Sequence, residues 1–473
     1  LAQKVNSKNK LKNVPTKNKD DKDVLIMDPI HGFIDISQYP VIQELIATSY
    51  FQRLRRLSQL GLTSLVYPNA THSRFAHSIG VMHVFLILFD AVTKKSNLPI
   101  DDIKKLRPIG AVSALLHDIG HGPFSHTFET IFGKNNFDHE IMTCKIIQED
   151  EISSILIKNN INPDMICNIL RYEVEDTLRF VSQLVSSELD ADRLDYLMRD
   201  SFFTGMNYGR VDIQRIANTL RLWEKDEPKN YQWTIVVEKK GLSAIENYII
   251  GRYLMYNGVY FHKNSRSSEI LLKFIFERAC KTHDEKNSLK KLINISKCNF
   301  SKKSSNVKKT QMFISPKNLK KIDDITCLSL FQKWASSSSD KILKDLCTRI
   351  LDRKMLSVIQ IDKDKYADIT INKPTFLSDL VKKYTKYNPL YYSNTDQVKK
   401  TSYAPYKFEN IEDVKSAKSH ILLCDQEKLV DISEKSHLIH TLSTNQSEII
   451  SLIFPSEKKL LQEVKHLLFY GNK

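Results

Sequence analysis

The chain has 473 residues, 70 Lys and Arg against 55 Asp and Glu, a formal charge of +15, and 41% hydrophobic residues. That apolar content is ample for one large core or two smaller ones, which excludes a wholly disordered polyelectrolyte. Seven cysteines, at 144, 167, 280, 298, 327, 347 and 424, are scattered without C-x-x-C spacing; this argues against a zinc ribbon or a disulfide framework and suits a reducing compartment.

The charge is concentrated. Residues 1–23 carry seven Lys against three Asp, and residues 281–321 carry twelve Lys against Asp284 and Glu285. Fourteen of the fifteen net charges therefore lie in two polar segments, read as a flexible basic tail and a Lys-rich linker or insertion. Clustered Lys attracts phosphate, but no aromatic residues interleave with it as single-strand stacking requires, so nucleic acid is a weak expectation. The tail lacks the apolar core of a signal peptide, and no apolar run approaches the ~20 residues that span a bilayer. The reading is a cytoplasmic protein without a membrane partner.

Residues 24–45 read as an extended entry with a turn at Asp28-Pro29 and His31-Gly32. Apolar residues at three-to-four spacing then predict helices over 41–61, 73–95, 101–118, 124–133, 137–150, 151–159, 163–173, 179–200 and 211–221. A short β-like run, 233–237, precedes helices 242–259 and 267–280. Beyond the Lys-rich segment, helices are expected at 325–336 and 340–354. Short strands follow at 357–360, 420–424, 428–432 and 449–454, with a last helix at 456–468. The expected fold is mainly α: a helical core over 24–280, with a smaller α+β lobe over 322–473.

Chemistry concentrates in three stretches. The apolar run Ala111–Leu116 delivers His117-Asp118, an adjacent imidazole and carboxylate suited to Fe, Mn, Zn or Mg. Upstream, His77 follows Arg74 by three residues, on the same helical side. Downstream, Glu188, Asp190, Asp192 and Asp195 crowd four acids into eight residues, and any of the three aspartates could be a ligand. One His, one His-Asp and one distant Asp make a hydrolytic metal site with room for water. His121, flanked by glycines, is free to approach a phosphate, and His126 and His139 begin the next two helices. Glu129 could orient an imidazole. Tyr253, Tyr256 and Tyr260 form a helical stripe of the kind that more often lines a core.

The order H…HD…D resembles the HD-domain phosphohydrolases. The words Asp28-Pro29-Ile30-His31-Gly32, Phe51-Gln52-Arg53-Leu54-Arg55-Arg56-Leu57, Gln59-Leu60-Gly61 and Asp195-Tyr196-Leu197-Met198-Arg199-Asp200 make the chain similar to the deoxynucleoside triphosphate triphosphohydrolases, the dNTPase and dGTPase group. The resemblance is dense over 24–265 and thins beyond about 320. It implies a divalent metal held by His77, His117, Asp118 and Asp192, with Asp190 and Asp195 in supporting or capping roles. It implies His121, His126 and His139 around the scissile phosphate, and Arg74, Arg193 and Arg252 on the phosphates. At the sugar it implies Tyr260 packed on the edge and Asp200 and Gln59 reading the 3′-hydroxyl, with Leu60, Tyr196 and Tyr256 lining the same site.

The resemblance further implies a nucleotide effector near Arg55 and Lys263, a homo-oligomer (dimer or tetramer), and a part in dNTP pool control or antiviral defence. Ala47 stands where the vertebrate-type pattern has a guanine-reading Asp, so guanine-specific activation is not expected. Competing readings lack their marks. A cyclic-dinucleotide phosphodiesterase would show Gly-Tyr-Pro, where this chain has Gly122-Pro123-Phe124. An alarmone hydrolase would show two acids soon after the His-Asp pair, where Ile119-Gly120-His121 stands. A nucleotide sensor or nucleic-acid binder with an inactive site would have lost a ligand, and the set here is full.

Overall fold

The computed structural model describes residues 23–469 except 134–135, 176, 226–231, 283–288, 290–313, 373–374, 401–402, 404–419 and 445–446. The expected basic tail and most of the Lys-rich segment lie outside the described residues. The fold is mainly α, with a helical core and a smaller α+β region.

The organising element is the helix Arg74–Thr93, buried on nearly every side. It packs on Ile100–Leu116 and on Ala191–Thr204, and those three helices carry the candidate ligands. A helix apolar all round belongs at the centre of a bundle. An 18-residue window of this 20-residue helix has a mean hydropathy of 1.8, long and apolar enough to cross a membrane by length and composition, yet 72% of that window is buried in the fold. This corrects the expectation that no apolar run approaches 20 residues: one does, and here it is the core helix.

Several predicted helices are interrupted by local hydrogen bonding. The 41–61 stretch divides into Pro40–Ala47 and Ser49–Arg53, followed by 3-10 turns at Leu54–Arg56 and Gly61–Leu65. The break is Thr48, extended at φ −65°, ψ 152°, whose side chain accepts from Phe51 N and starts the next helix. The 179–200 stretch is likewise two helices, Leu178–Val185 and Ala191–Thr204. Asp190 caps the second, accepting from Arg193 N at 2.7 Å and from Ser187 N at 2.6 Å. The 211–221 stretch turns from helix Ile213–Thr219 into strand Leu220–Trp223, which pairs antiparallel with Thr234–Glu238.

Two strands from the far end of the chain, Leu422–Asp425 and Lys428–Asp431, extend that hairpin into a four-stranded sheet. A second sheet sets Ser447–Phe454 between Ser357–Ile361 and Asn394–Lys400, all antiparallel. Helices Phe376–Tyr384 and Lys458–Phe469 pack on it over a separate core that includes Ile361, Val381, Leu452 and Val464. Helices at 363–372, 376–384 and 437–444 and the strand at 394–400 were not predicted. The main core continues past the Lys-rich segment: Leu319, Phe331, Leu346 and Ile350 belong to the same cluster as Phe85 and Leu115.

Candidate functional site

His77 lies one turn into its helix, fully buried. Its Nδ1 donates to Asp195 Oδ2 at 2.8 Å, which leaves Nε2 as a lone pair. Helix Ile100–Leu116 ends where needed to present His117, whose Nδ1 donates to Ala114 O at 2.8 Å and likewise frees Nε2. Among the described residues neither buried Nε2 has a partner in good hydrogen-bond geometry, and the nearest groups are carboxylate oxygens. An unsatisfied buried imidazole nitrogen is costly unless something else occupies it. Asp192, in the first turn of Ala191–Thr204, brings Oδ1 to 3.0 Å from His77 Nε2 and 3.6 Å from His117 Nε2. Asp118 sets Oδ2 3.6 Å from His77 Nε2 and Oδ1 3.4 Å from His117 Nε2. His77, His117 and Asp192 form a group able to hold a metal ion, their ligand atoms all within 4.8 Å of one another. Two imidazoles with lone pairs facing two carboxylates fit a divalent cation.

Support for this cluster comes from Asp195, for which the resemblance implies a supporting or capping role, and from residues whose roles were not read in the sequence. Asp195 is buried and ionised: burial opposes its charge, but Arg199 and the hydrogen bonds from His31 and His77 hold it well below the usual carboxylate range. Arg199 donates Nε and Nη2 to it at 2.9 Å each and Nη1 to Asp28 at 2.8 Å, and His31 Nε2 approaches it at 2.6 Å. The word Asp28-Pro29-Ile30-His31-Gly32 is thus a turn that closes over the back of His77. Gly80 makes the approach feasible, since a Cβ there would meet Asp195 Oδ1 at 2.0 Å. Asp190 is the helix cap, outside the cluster.

Beside the cluster stands a second group. His121, His126 and His139 meet with ring centroids 4.1 to 5.3 Å apart. The helix does not persist from His117 to His121; a turn closes instead, with His121 N donating to Asp118 O at 3.1 Å. His121 is buried, and burial followed by Arg74 keeps its pKa well below the usual value. His126 is exposed. Glu129 Oε2 lies 2.7 Å from His139 Nδ1 and orients that ring. Arg74 is buried, donates to Ser125 Oγ at 3.0 Å and pairs with Asp118 Oδ2.

The loop that carries this group is anchored from two directions. Arg53 is 1% exposed, donating Nη2 to His121 O at 2.6 Å and Nε to Ile322 O at 2.7 Å. Asp324, beyond the Lys-rich segment, accepts from Phe124 N at 2.7 Å and Ser58 N at 2.8 Å. Phe124 and Ser125 both sit at φ 57°, a backbone region that costs energy unless the surroundings impose it.

The other predicted residues fall in two groups. Arg193 and Arg252 both pair with Glu188, at 2.9 and 2.5 Å, and Tyr248 Oη donates to Glu188 O at 2.7 Å. Tyr260 Oη donates to Asp200 Oδ2 at 2.7 Å, and His72 Nε2 holds the other oxygen at 2.7 Å. Tyr256 and Tyr196 lie edge-on to Tyr260, with centroids 4.9 and 6.2 Å away. Tyr256–Tyr260 is a π-turn rather than continuing helix, a feature that recurs at functional sites. Gln59 donates its backbone N–H to His72 O at 3.0 Å, and its buried side-chain Oε1 has no hydrogen-bond partner among the described residues; Leu60 beside it is half-buried. Arg55 lies elsewhere, 3.5 Å over the Phe75 ring, in a cavity of 480 Å³ with Asp28, Gln43 and Ser73. Lys263 stands exposed at the start of its helix.

Residues 74–200 match the HD domain and residues 211–310 the HD associated region. The chain is 33% identical to protein YwfO of Bacillus subtilis, over 91% of this chain and 92% of that one. It is 31% identical to the deoxynucleoside triphosphate triphosphohydrolase SAMHD1 homolog of Dictyostelium discoideum, over 58% of this chain and 53% of that one. Among solved structures, a phosphohydrolase from Bacteroides thetaiotaomicron superposes with a TM-score of 0.69 at 27% identity, covering 92% of this chain and all of that one.

Proposed function

The chain belongs to the HD-domain phosphohydrolases, and from that premise we propose that it hydrolyses deoxynucleoside triphosphates to the deoxynucleoside and inorganic triphosphate. The observation that carries this reading is the hydrogen-bonded line His72–Asp200–Tyr260 beside Gln59. An aromatic ring locked edgewise to a carboxylate supports a sugar site with no room for a 2′-hydroxyl. The free Gln59 Oε1 supports recognition of a 3′-hydroxyl. A hydroxyl that is excluded or left unpaired discriminates by about 1–3 kcal/mol or more.

His77, His117, Asp118 and Asp192 would hold a divalent cation, which would supply Lewis acidity toward a phosphate oxygen and lower the pKa of a bound water. The chain does the rest. Arg74, Arg193 and Arg252 neutralise charge that grows on the phosphates as water adds in line to the α-phosphorus. A histidine of the His121, His126 and His139 group gives its proton to the departing 5′-oxygen. Arg55 and its cavity support a nucleotide effector, with Lys263 as a second contact. The relatives' printed activity supports the same substrate class.

Incubation of the metal-loaded protein with each dNTP, and separately with each ribonucleotide, tests the proposal. Free deoxynucleoside from dNTPs, with little nucleoside from NTPs, is the expected result. Turnover of ribonucleotides at equal efficiency would refute the sugar-site assignment.

A further inference from the structure

Glu188 pairs with two arginines that the proposed function puts on the phosphates. It sits in the loop that breaks the predicted 179–200 helix. Its Oε1 accepts from Arg193 Nη2 at 2.9 Å and its Oε2 from Arg252 Nη1 at 2.5 Å. One carboxylate thus holds two guanidiniums, with side-chain exposures of 17%, 24% and 10% for Glu188, Arg193 and Arg252. Each guanidinium spends one terminal N–H on Glu188, and among the described residues the buried Nε of each has no hydrogen-bond partner. Tyr248 Oη, bonded to Glu188 O, pins the loop from the facing helix Leu242–Met255.

We propose that Glu188 is a built-in counter-anion that competes with the polyphosphate for Arg193 and Arg252, weakening the hold on inorganic triphosphate so that product leaves. This rests on the reading that those two arginines contact the triphosphate chain. The physics is a matter of charge. Two arginines alone would present two positive charges to a highly charged polyanion in a half-buried site. Glu188 cancels one of them at hydrogen-bond range. Its own orienting contribution to the pair works in the opposite direction, but the arginines are also held elsewhere: Arg193 by Asp190 at 3.5 Å and Arg252 by its buried helix position. The charge effect therefore exceeds the orienting effect. Removing one elementary charge at this distance strengthens anion binding by about tenfold or more, roughly 1.4 kcal/mol.

Isothermal calorimetry of the metal-loaded protein with sodium triphosphate tests this without any turnover. Glu188→Gln, which keeps shape and loses charge, is expected to bind triphosphate about tenfold more tightly. Glu188→Asp, which keeps the charge, should stay within about threefold of wild type. In steady state Glu188→Gln should lower both KM and kcat, as tight product slows release; a merely damaged site raises KM. Unchanged or weaker triphosphate binding in Glu188→Gln, or equal tightening in Glu188→Asp, would overturn the proposal. So would a wild-type protein that does not bind triphosphate at all. If wild type binds triphosphate but hydrolyses no dNTP, the substrate assignment fails while the counter-anion stands or falls on the binding data.

Discussion

His77 Nδ1 donates to Asp195 Oδ2 at 2.8 Å, so the imidazole that faces the candidate cation is aimed by a carboxylate that never touches it. Asp195 in turn is fixed by Arg199 and His31, so the line of support runs from the turn at residues 28–32 through the helix Ala191–Thr204 to the cation. Carboxylate–histidine pairs of this kind set both tautomer and ring angle.

Asp195→Asn is therefore expected to weaken metal binding by about 10- to 100-fold while preserving the four ligands. Competition with a chelating dye measures it directly. Wild-type affinity in this variant would remove Asp195 from the metal site's support.

Gly80→Ala probes the same contact from the other side. A Cβ at position 80 would meet Asp195 Oδ1 at 2.0 Å and Arg199 Nη2 at 2.4 Å, both on buried, hydrogen-bonded groups with no room to retreat. Breaking or displacing a buried ion pair costs about 3–5 kcal/mol, and urea unfolding should show a loss of that order. A loss under about 1 kcal/mol would mean the helices Arg74–Thr93 and Ala191–Thr204 separate more easily than their packing implies.

Asp324→Ala removes the acceptor for Ser58 N, in a part-buried bond, and for Phe124 N, in a buried one. Each orphaned donor costs about 1–3 kcal/mol. The variant should lose about 2–4 kcal/mol of stability, and kcat should fall as the strained Phe124–Ser125 loop relaxes. Hydrogen exchange at Phe124 is the matching local readout, with protection expected to drop.

Tyr260→Ala should open the sugar end. The ratio of kcat/KM for a dNTP over the matching NTP is expected to fall by about tenfold. Tyr260→Phe removes only the hydrogen bond to Asp200 and should change the ratio less. Equal ratios in wild type and Tyr260→Ala would exclude this ring from sugar selection.

The sequence was most informative where chemistry and periodicity coincide. His77, His117 and Asp192 come together from three helices whose apolar patterns and flanking words were legible before any coordinates. The supporting network was not. His31 and Arg199 read as a loop residue and a helix residue, and nothing local reveals that Gly80 lets them share one carboxylate. Glu188 was visible only as one of four crowded acids, because a period-3.6 pattern runs through 179–200 and hides the break that projects it. Asp324 sits 200 residues from Phe124 in sequence, and long-range backbone capping leaves no pattern. The region 363–400 was missed for a related reason: its helices and strand are short, giving windows too brief for periodicity to decide.

Phosphorus NMR of the products formed from a dNTP by the metal-loaded protein is the most direct test of the central claim. Inorganic triphosphate should appear in step with free deoxynucleoside, and both should vanish in His117→Ala and Asp118→Ala, whose metal content is lost while their circular dichroism is unchanged. Pyrophosphate with deoxynucleoside monophosphate, or full turnover in either variant, would contradict it.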